Sequence, residues 1–218
     1  MTTAALFGLR LRTPRLELLL ASTEELRELG EVARAGIHPP EEMPFYYPWT
    51  DRAHLPEFVD DFVGHHRERI AEWTPTSWTL NLITFHEGHP IGSQSLRAER
   101  FPTERVADTG SWLGRPYQGR GLGTEMRTAV IELAFRGLGA LAVTSGAMED
   151  NVASIRVSEK LGYTEVGEKT VAPRGEPVRE RVFRLEHADW RCLIPVEVAG
   201  LEPCLPLFGL SAEDTAGV

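Results

Sequence analysis

The chain has 218 residues, of which 42% are hydrophobic and 25% are charged, and its formal net charge at pH 7 is -9. This composition is typical of a globular protein with one sizeable core. The negative charge does not favour binding to nucleic acid or to an anionic membrane, so we expect neither as a partner.

The two cysteines, Cys192 and Cys204, do not form a Cys-x-x-Cys pair and do not lie at metal-ligand spacing from a histidine cluster. We therefore expect a reducing compartment and no metal site. The amino-terminal residues do not resemble a signal peptide, and no apolar run approaches the ~20 residues that cross a bilayer. These features predict a cytoplasmic protein.

The first part of the chain predicts one strand followed by two helices. Residues 16–20 are a short apolar run typical of a buried strand. Ser22, followed by Thr23 and two glutamates, is typical of the start of a helix, which we expect to extend to about Ala35. Asp51 is predicted to cap a second, amphipathic helix. The histidine pair on that helix, residues 65–66, is expected to be solvated, because adjacent helical residues point about 100° apart.

A proline-broken segment between these two helices carries unusual aromatic area. Two interpretations remain open: the rings anchor one end of the domain, or they line a substrate pocket. The pocket interpretation makes four residues candidates for binding the substrate: Phe45, Tyr46, Tyr47 and Trp49.

The middle of the chain predicts a run of strands. Residues 78–85 alternate between apolar and polar side chains, Gly88 marks a turn, and residues 91–96 form the antiparallel partner. The next strand covers residues 106–113. It leads into a glycine-rich turn at residues 118–124, Gln-Gly-Arg-Gly-Leu-Gly-Thr, which opens a helix.

A glycine-rich turn at the start of a helix favours a bound anion such as pyrophosphate, because free N–H groups and the helix dipole point to one place. The Walker pattern requires Lys-Ser/Thr after the last glycine, but here Gly123 is followed by Thr124 and Glu125. The dinucleotide fingerprint requires glycine at position 124 and an acidic residue in the next strand, which residues 140–145 lack. The pattern that remains is Gln/Arg-x-x-Gly-x-Gly/Ala.

The last part of the chain predicts a buried strand at residues 141–145, parallel to the strand before the turn. A short helix follows within residues 151–163, and residues 163–172 and 178–185 form a final hairpin. The tail, residues 192–218, is rich in proline and glycine, and we expect its last eight residues to be disordered.

The turn, with Gln118, Gly121 and Gly123, resembles the acetyl-coenzyme A loop of the GNAT N-acetyltransferases. Residues 151–163 resemble the GNAT segment after the fifth strand, and residues 11–16, Leu-Arg-Thr-Pro-Arg-Leu, resemble the RimJ/RimL-like branch. The resemblance covers residues 9–190. It implies an α/β (α+β) GNAT fold, with a mixed, mostly antiparallel sheet splayed between its fourth and fifth strands and helices on both faces. The domain would span residues 1–191, with residues 192–218 as an extension.

The resemblance also implies acetyl-coenzyme A as co-substrate, without a metal. Backbone N–H groups of the turn would hold the pyrophosphate, the end of the preceding strand would pair with the pantetheine arm, and the short helix would contact the cofactor from the other side. The residues carried over in this way are Trp112, Leu113, Gln118, Gly119, Arg120, Gly121, Gly123, Thr124, Asn151 and Ser154.

Acetyl transfer to an amine requires a base, because an α-amino group (pKa ~8) or a lysine (pKa ~10.4) must lose a proton before it attacks. Asp108 and Glu149 are candidates, although a carboxylate near a strand is often only a solvated charge, and some relatives rely on water. Many GNATs protonate the departing thiolate with a tyrosine. Ser158 stands in that position here, either as the proton donor or as a residue that packs the helix.

These features predict an enzyme that transfers acetyl from acetyl-coenzyme A to a primary amine, either a protein N-terminus or a small molecule, by direct attack in a ternary complex. The alternatives are a non-catalytic acyl-coenzyme A sensor and a structural partner with a vestigial site. The apolar residues 205–210 would fold back onto the domain or cover a second subunit. Because RimJ/RimL-like proteins are often homodimers, we expect a homodimer to which the tail or the last hairpin contributes.

Overall fold

The computed structural model describes residues 2–214, and within them nine strands form one open sheet. The strands are Arg10–Arg12 (β1), Leu16–Leu19 (β2), Ser77–His86 (β3), His89–Glu99 (β4), Val106–Leu113 (β5), Ala142–Met148 (β6), Thr164–Val171 (β7), Val178–Glu186 (β8) and Glu197–Ala199 (β9). The α-helices are Thr23–Arg34 (α1), Phe58–Ala71 (α2), Phe101–Glu104 (α3), Leu122–Glu132 (α4) and Val152–Lys160 (α5).

The strand order is β7-β8-β6-β5-β4-β3-β2-β1-β9. Within residues 2–214, β5 and β6 are the only parallel neighbours, and the other neighbouring strands are antiparallel. The predicted mixed, mostly antiparallel sheet is therefore confirmed. The parallel pairing ends early, with Asp108 opposite Thr144, although both strands continue beyond these residues. The sheet is open between β5 and β6 past that point.

Helices cover both faces of the sheet. On one face, α1 and α2 pack against β2 and β3, through contacts such as Leu29 and Phe62 with Ile83. On the other face, α4 packs through Met126 and Val130 into the main hydrophobic core. The predicted helices on both faces are thus confirmed, and the opening between β5 and β6 connects the two faces.

A local sequence signal explains where α1 begins. The Ser22 side chain accepts a hydrogen bond from the Glu25 N–H while the Glu25 carboxylate accepts one from the Ser22 N–H, which forms a capping box at the start of α1. The structure adds β1, which the sequence did not predict as a strand. After α4, the chain continues as a π-helical turn, Leu133–Gly137.

Two predictions about the second helix are wrong. Asp51 does not cap it: α2 begins later, at Phe58, and Asp51 instead binds the Arg174 guanidinium through both carboxylate oxygens, at 2.6 and 2.9 Å. The histidine pair is not uniformly solvated either. His65 is exposed, whereas His66 is half-buried, with its ring 4.7 Å from that of Phe62.

The tail folds back onto its own domain, which was one of the two alternatives. β9 pairs with β1 at the edge of the sheet. The 3-10 segment Glu202–Phe208 then buries Leu207 and Phe208 in the main core, and the Trp73 indole donates a hydrogen bond to the Leu207 carbonyl at 2.8 Å. The division of the chain at residue 191 stays a prediction.

The last described residues are held by side-chain contacts. Asp214 accepts hydrogen bonds from Ser211 and pairs with Arg105 at 2.6 Å. Of the eight residues expected to be disordered, 215–218 lie outside the described residues. Among the described helices, none is both long and apolar enough to span a membrane.

Candidate functional site

Two glycines of the glycine-rich turn adopt a left-handed backbone conformation. Gly119 and Gly121 have φ angles of +71° and +77°, which L side chains adopt only at a cost. Gly121 is the N-cap residue of α4, and no side chain caps that end within the described chain. The N–H groups of the first helical turn have no acceptor inside the helix. They are therefore free to bind an anion.

Gln118, predicted to bind the cofactor, makes internal contacts. Its side-chain amide donates to the carbonyls of Ile37 and Leu113, both at 2.7 Å. It thus links the end of β5 to the segment after α1 and fixes the start of the turn. Arg120 is exposed beside it, and its side chain is available to a phosphate.

The connection between β1 and β2 supports the same turn. Arg15 Nη1 donates to the Arg120 carbonyl at 3.1 Å. The Glu125 carboxylate accepts hydrogen bonds from the Arg15 side chain, the Arg15 N–H and the Thr13 hydroxyl, at 2.6 to 2.9 Å. The sequence interpretation used residues 11–16 only as a family signature. The structure shows that they bind the first turn of α4.

Side chains near the opening point to different faces of the sheet, because successive strand residues alternate. Trp112 packs against Phe62 of α2, so it lies on the α1/α2 face. Its neighbours Ser111 and Leu113 point to the α4 face, where Leu113 joins the main core. The opening therefore has a helix α4 side and an aromatic-loop side.

The α4 side contains a buried polar cluster. The Arg127 guanidinium donates hydrogen bonds to the hydroxyls of Ser158 at 3.0 Å, Ser111 at 3.1 Å and Ser145 at 3.4 Å. Ser158 has no exposed surface and its hydroxyl donates to the Ser154 carbonyl, one helical turn earlier, at 3.2 Å. The sequence left two roles open for Ser158, and its burial beside the opening is compatible with either.

The base of the opening is closed by side chains on the same face. The Thr109 hydroxyl donates to the Thr144 carbonyl at 2.9 Å and lies 3.2 Å from the Tyr163 hydroxyl. Burial raises the Tyr163 pKa to about 12, so this phenol is neutral at physiological pH. The Asn151 side chain accepts from the Ser154 N–H at 3.1 Å and caps α5. Asn151 therefore positions the helix that carries Ser158.

A buried carboxylate lies on the opposite side of the opening. Glu180, on β8, is 1% exposed, and its carboxylate lies so close to Gly146 of β6 that a Cβ there would collide with it. The Tyr46 hydroxyl donates to one of its oxygens, and Lys169 Nζ lies 3.0 Å from the other. The Lys169 ammonium also lies 5.1 Å from the centre of the Tyr46 ring. Burial, followed by the hydrogen bond to Glu180, raises the Tyr46 pKa to about 12.

The two carboxylates proposed from sequence have other surroundings. Asp108 lies on the same face as Glu180 but at the closed end of the opening, where its oxygens accept from Arg97 and Thr144, each at 2.9 Å. Burial raises the Asp108 pKa, against the opposing effects of Arg97 and Thr144. Glu149 pairs with Arg179 at 2.6 Å on the surface.

The aromatic segment is held in place by two of its four rings. Trp49 stacks on Phe58 and also contacts Trp112, so it anchors the segment to α2 and β5. Phe45 packs on Trp49 with ring centroids 5.3 Å apart. Tyr47 is 67% exposed, and Tyr46 is half-exposed with its hydroxyl at Glu180. Trp49 and Phe45 therefore anchor the segment, whereas the two tyrosines are exposed. Their role in binding a substrate stays a prediction.

Sequence reasoning missed Arg127, Glu180 and Arg15. The position of Arg127 in the sequence does not indicate a special role. Every residue of α4 from Glu125 to Glu132 is buried, so the helix has no apolar stripe that would make a buried charge conspicuous. Glu180 lies in a hairpin rich in charged residues, and only the collision at Gly146 distinguishes it. In the described part of the chain, no group of three or more His, Cys, Asp or Glu residues is placed to hold a metal ion.

Comparison with known proteins adds sequence and fold matches. The acetyltransferase (GNAT) domain family matches residues 9–164. The Bacillus subtilis protein named "Probable N-acetyltransferase YjcK" is 29% identical over 116 residues, which cover 50% of this chain and 64% of that protein. The match thus spans slightly less than two thirds of the relative.

Solved structures share the fold at lower identity. RimL, a ribosomal-protein alpha-N-acetyltransferase in complex with coenzyme A, has a TM-score of 0.65 at 17% identity, over 80% of this chain and 95% of its own. Mycobacterium smegmatis RimJ in complex with a coenzyme A disulfide has a TM-score of 0.64 at 15% identity, over 84% and 88%. At these identities the likeness concerns the fold alone.

Proposed function

The chain belongs to the GNAT family of acetyltransferases, and from this premise we propose that it transfers acetyl from acetyl-coenzyme A to a primary amine, a protein N-terminus or a small molecule, by direct attack in a ternary complex. One observation carries the proposal. The sheet is open between β5 and β6, with a free helix N-terminus on one side and a buried carboxylate, Glu180, on the other. Such an opening lets a thioester and an amine meet from opposite faces.

The residues at the turn fit the cofactor. The left-handed glycines Gly119 and Gly121 and the uncapped first turn of α4 provide backbone donors for the pyrophosphate. A Cβ built at Gly123 would meet only Leu113, at 3.7 Å, so this side of the turn is open. Thr124 lies in the same first turn of α4. Past Asp108, β5 no longer pairs with β6, and the pantetheine arm would lie along this edge at Trp112 and Leu113.

Glu180 is the better placed of the candidate bases. An ammonium group that displaces the Tyr46 hydroxyl meets the carboxylate beside Gly146, where the strands have already separated. Lys169 Nζ lies 3.0 Å from the other oxygen of this carboxylate and pairs with it. Asp108 remains a second candidate on the same face, but Arg97 and Thr144 already occupy its oxygens.

The acceptor would approach through the aromatic segment. Tyr46 and Tyr47 present apolar faces and hydroxyls to that side, while Phe45 and Trp49 hold them in place. A buried carboxylate at the end of this approach favours a cationic acceptor over an alcohol. The proposal of a primary amine therefore rests on the surroundings of Glu180 as well as on the family.

We also propose that the enzyme works in the cytoplasm as a homodimer. The tail no longer supports a dimer, because its apolar residues are covered by their own domain. The other predicted contact, the last hairpin, exposes Val166 and Val178 on β7 and β8. These exposed apolar side chains make the hairpin the surface on which a second subunit would pack.

The test is release of free thiol from acetyl-coenzyme A, measured with a panel of peptides, small amines and amine-bearing antibiotics, together with calorimetry of cofactor binding. The proposal predicts cofactor binding and amine-dependent thiol release. Binding without release from any amine would favour the sensor. The absence of binding heat would favour a structural protein with a vestigial site.

A further inference from the structure

Arg127 is a buried cation whose hydrogen-bond partners are all neutral. Its side chain reaches three elements at once, through Ser111 of β5, Ser145 of β6 and Ser158 of α5. The residue is 3% exposed, and within residues 2–214 its Nε atom has no hydrogen-bond acceptor. No carboxylate is among its hydrogen-bond partners in that part of the chain.

This arrangement is costly if its role is only structural. Removing a charge from water is unfavourable unless a partner of opposite charge and full hydrogen bonding compensate. Burial lowers the pKa of Arg127, and the ionisable groups that oppose this effect are Tyr163 and Asp108. Neither is among its hydrogen-bond partners in residues 2–214. A well-packed apolar side chain would hold the three elements together at lower cost. We therefore expect an anion to lie near the Arg127 guanidinium during the reaction.

The position of Arg127 indicates which anion. Ser111 and Ser145 stand on the two strands just beyond the point where β5 and β6 separate. Arg127 thus lies on the α4 side of the opening, opposite Glu180. The proposed pyrophosphate turn precedes α4, whereas Arg127 lies in the second turn of this helix. The phosphates would therefore bind away from Arg127. Negative charge that develops inside the opening is the charge that Arg127 faces.

Taking the proposed acetyl transfer as its basis, we propose that Arg127 is a positioning residue whose guanidinium, acting through the Ser158 hydroxyl, stabilises the thiolate of coenzyme A as it leaves. In this step the amine nitrogen forms a bond to the carbonyl carbon and loses a proton to a base. The carbon–sulfur bond breaks, and its electron pair stays on sulfur. The Ser158 hydroxyl donates a hydrogen bond to that sulfur, which solvent protonates after release.

The geometry at Ser158 suits this role. A hydroxyl has one hydrogen to donate and two lone pairs to accept. Arg127 already donates to the oxygen, so the single hydrogen is directed away from the guanidinium. In the structure, the hydroxyl donates this hydrogen to the Ser154 carbonyl, one turn earlier in α5. Backbone N–H groups of the helix can also bond to that carbonyl. Rotation about one bond turns it to a sulfur without loss of the Arg127 contact. A positive charge behind a donor strengthens the bond that the donor makes.

The experiment is a titration of the coenzyme A thiol in its binary complex with the protein, followed by the ultraviolet absorption of the thiolate. No acceptor amine is needed, so the result does not depend on the substrate. We expect the Arg127→Met complex to titrate about one pH unit higher than the wild-type complex, and Arg127→Lys, which keeps a charge, to shift less. Equal midpoints in the wild-type and Arg127→Met complexes would overturn the inference.

Two further variants guard against misfolding. Ser158→Ala removes the hydroxyl and leaves Arg127 in place, and we expect the same upward shift; a wild-type midpoint in this variant also overturns the inference. Thr128→Val alters the neighbouring residue of α4, whose hydroxyl bonds within the helix, and should titrate as the wild type does. A protein that binds no coenzyme A at all would contradict the proposed function, an outcome distinct from bound cofactor with unaltered thiol titration.

A kinetic measurement separates electrostatic from structural effects once an acceptor is known. We expect Arg127→Met to lower kcat at least tenfold with little change in KM for acetyl-coenzyme A. Adding Ser158→Ala should cost little more, because the two residues act as one unit. A purely structural Arg127 would instead lower thermal stability and cofactor affinity together, and its effect would add to that of Ser158→Ala.

Discussion

Arg15 and Glu125 form a two-point ion pair at the pyrophosphate turn: one Glu125 oxygen lies 2.6 Å from both Nε and Nη2 of Arg15. The Glu125 side chain is almost fully buried, and the other end of the Arg15 guanidinium holds the Arg120 carbonyl. The turn proposed to bind phosphate is therefore fixed from the outside by the connection between β1 and β2. Preorganised donors bind an anion more tightly than donors that must first be ordered.

We predict that Glu125→Gln weakens acetyl-coenzyme A binding roughly tenfold, equivalent to about 1.4 kcal/mol, because Arg15 loses its counter-charge and the turn loses its support. Calorimetry measures the affinity. Glu17→Gln is the matched control, since Glu17 pairs with Arg12 at the surface of the same strand pair. Equal affinities in the two variants would show that the ion pair does not order the turn.

Glu180→Gln should lower kcat by about 10²- to 10⁴-fold, the range of general base catalysis, while KM for acetyl-coenzyme A stays near the wild-type value. Asp108→Asn tests the candidate from the sequence and should have a smaller effect, because Asp108 lies at the closed end of the opening. Glu186→Gln, at the end of the same strand, is the control. A larger loss in Asp108→Asn would reverse the assignment of the base.

The sequence predicted those parts of the site that depend on local backbone. The turn at residues 118–124 follows from glycines that adopt positive φ, and α1 begins where Ser22 and Glu25 form a capping box. Such signals act within a few residues, so they can be read without the fold. The same holds for β5, which has the predicted bounds.

The charged residues of the site could not be predicted in this way. Glu180 meets Tyr46 across 134 positions of sequence, and Arg127 meets Ser158 across 31. Their roles come from burial and from long-range packing, which no local pattern encodes. Asp51 shows the converse error: a residue with a good local signal for a helix cap is instead bound by Arg174, 123 positions away.

A third prediction concerns the turn itself. Gly123→Ala should leave the fold intact, since its Cβ would meet only Leu113 at an ordinary distance, but it should weaken acetyl-coenzyme A binding because the methyl group enters the space of the phosphate oxygens. Gly64→Ala is the control, because Gly64 is also a helical glycine with open space around its Cβ. Unchanged cofactor affinity in folded Gly123→Ala would contradict the assignment of the turn.

His66 should make the protein less stable at acid pH. Burial against Phe62, followed by the charge of His65, lowers the His66 pKa to about 4, below its ordinary value of 6.5. Between these two values the unfolded chain binds more protons than the folded chain, so the stability present above pH 6.5 falls as the pH decreases through this window. The difference should be about 1–3 kcal/mol.

Urea unfolding at pH 7 and pH 5 measures this effect, with His66→Phe as the variant that cannot titrate. We expect the variant to lose less stability than the wild type between the two pH values. The same loss in both proteins would show that other groups control the acid sensitivity.

The last prediction tests whether the tail stabilises its own domain or forms the dimer interface. Phe208 is fully buried and its ring lies 4.9 Å from that of Trp78 and 5.3 Å from that of Trp73, so Phe208→Ala should cost about 3–5 kcal/mol of unfolding free energy. Leu193 belongs to the same tail but is 88% exposed, and Leu193→Ala should change stability by less than about 0.5 kcal/mol.

Light scattering then tests where subunits meet. Because the tail packs into its own core, Phe208→Ala should lower the unfolding temperature without changing the mass of the folded species. Val166→Lys places a charge on the exposed apolar surface of the last hairpin, and it should reduce the mass from dimer to monomer without a comparable loss of stability. A monomeric wild-type protein at assay concentration would remove the dimer from the proposal, and a monomer produced by Phe208→Ala alone would return the interface to the tail.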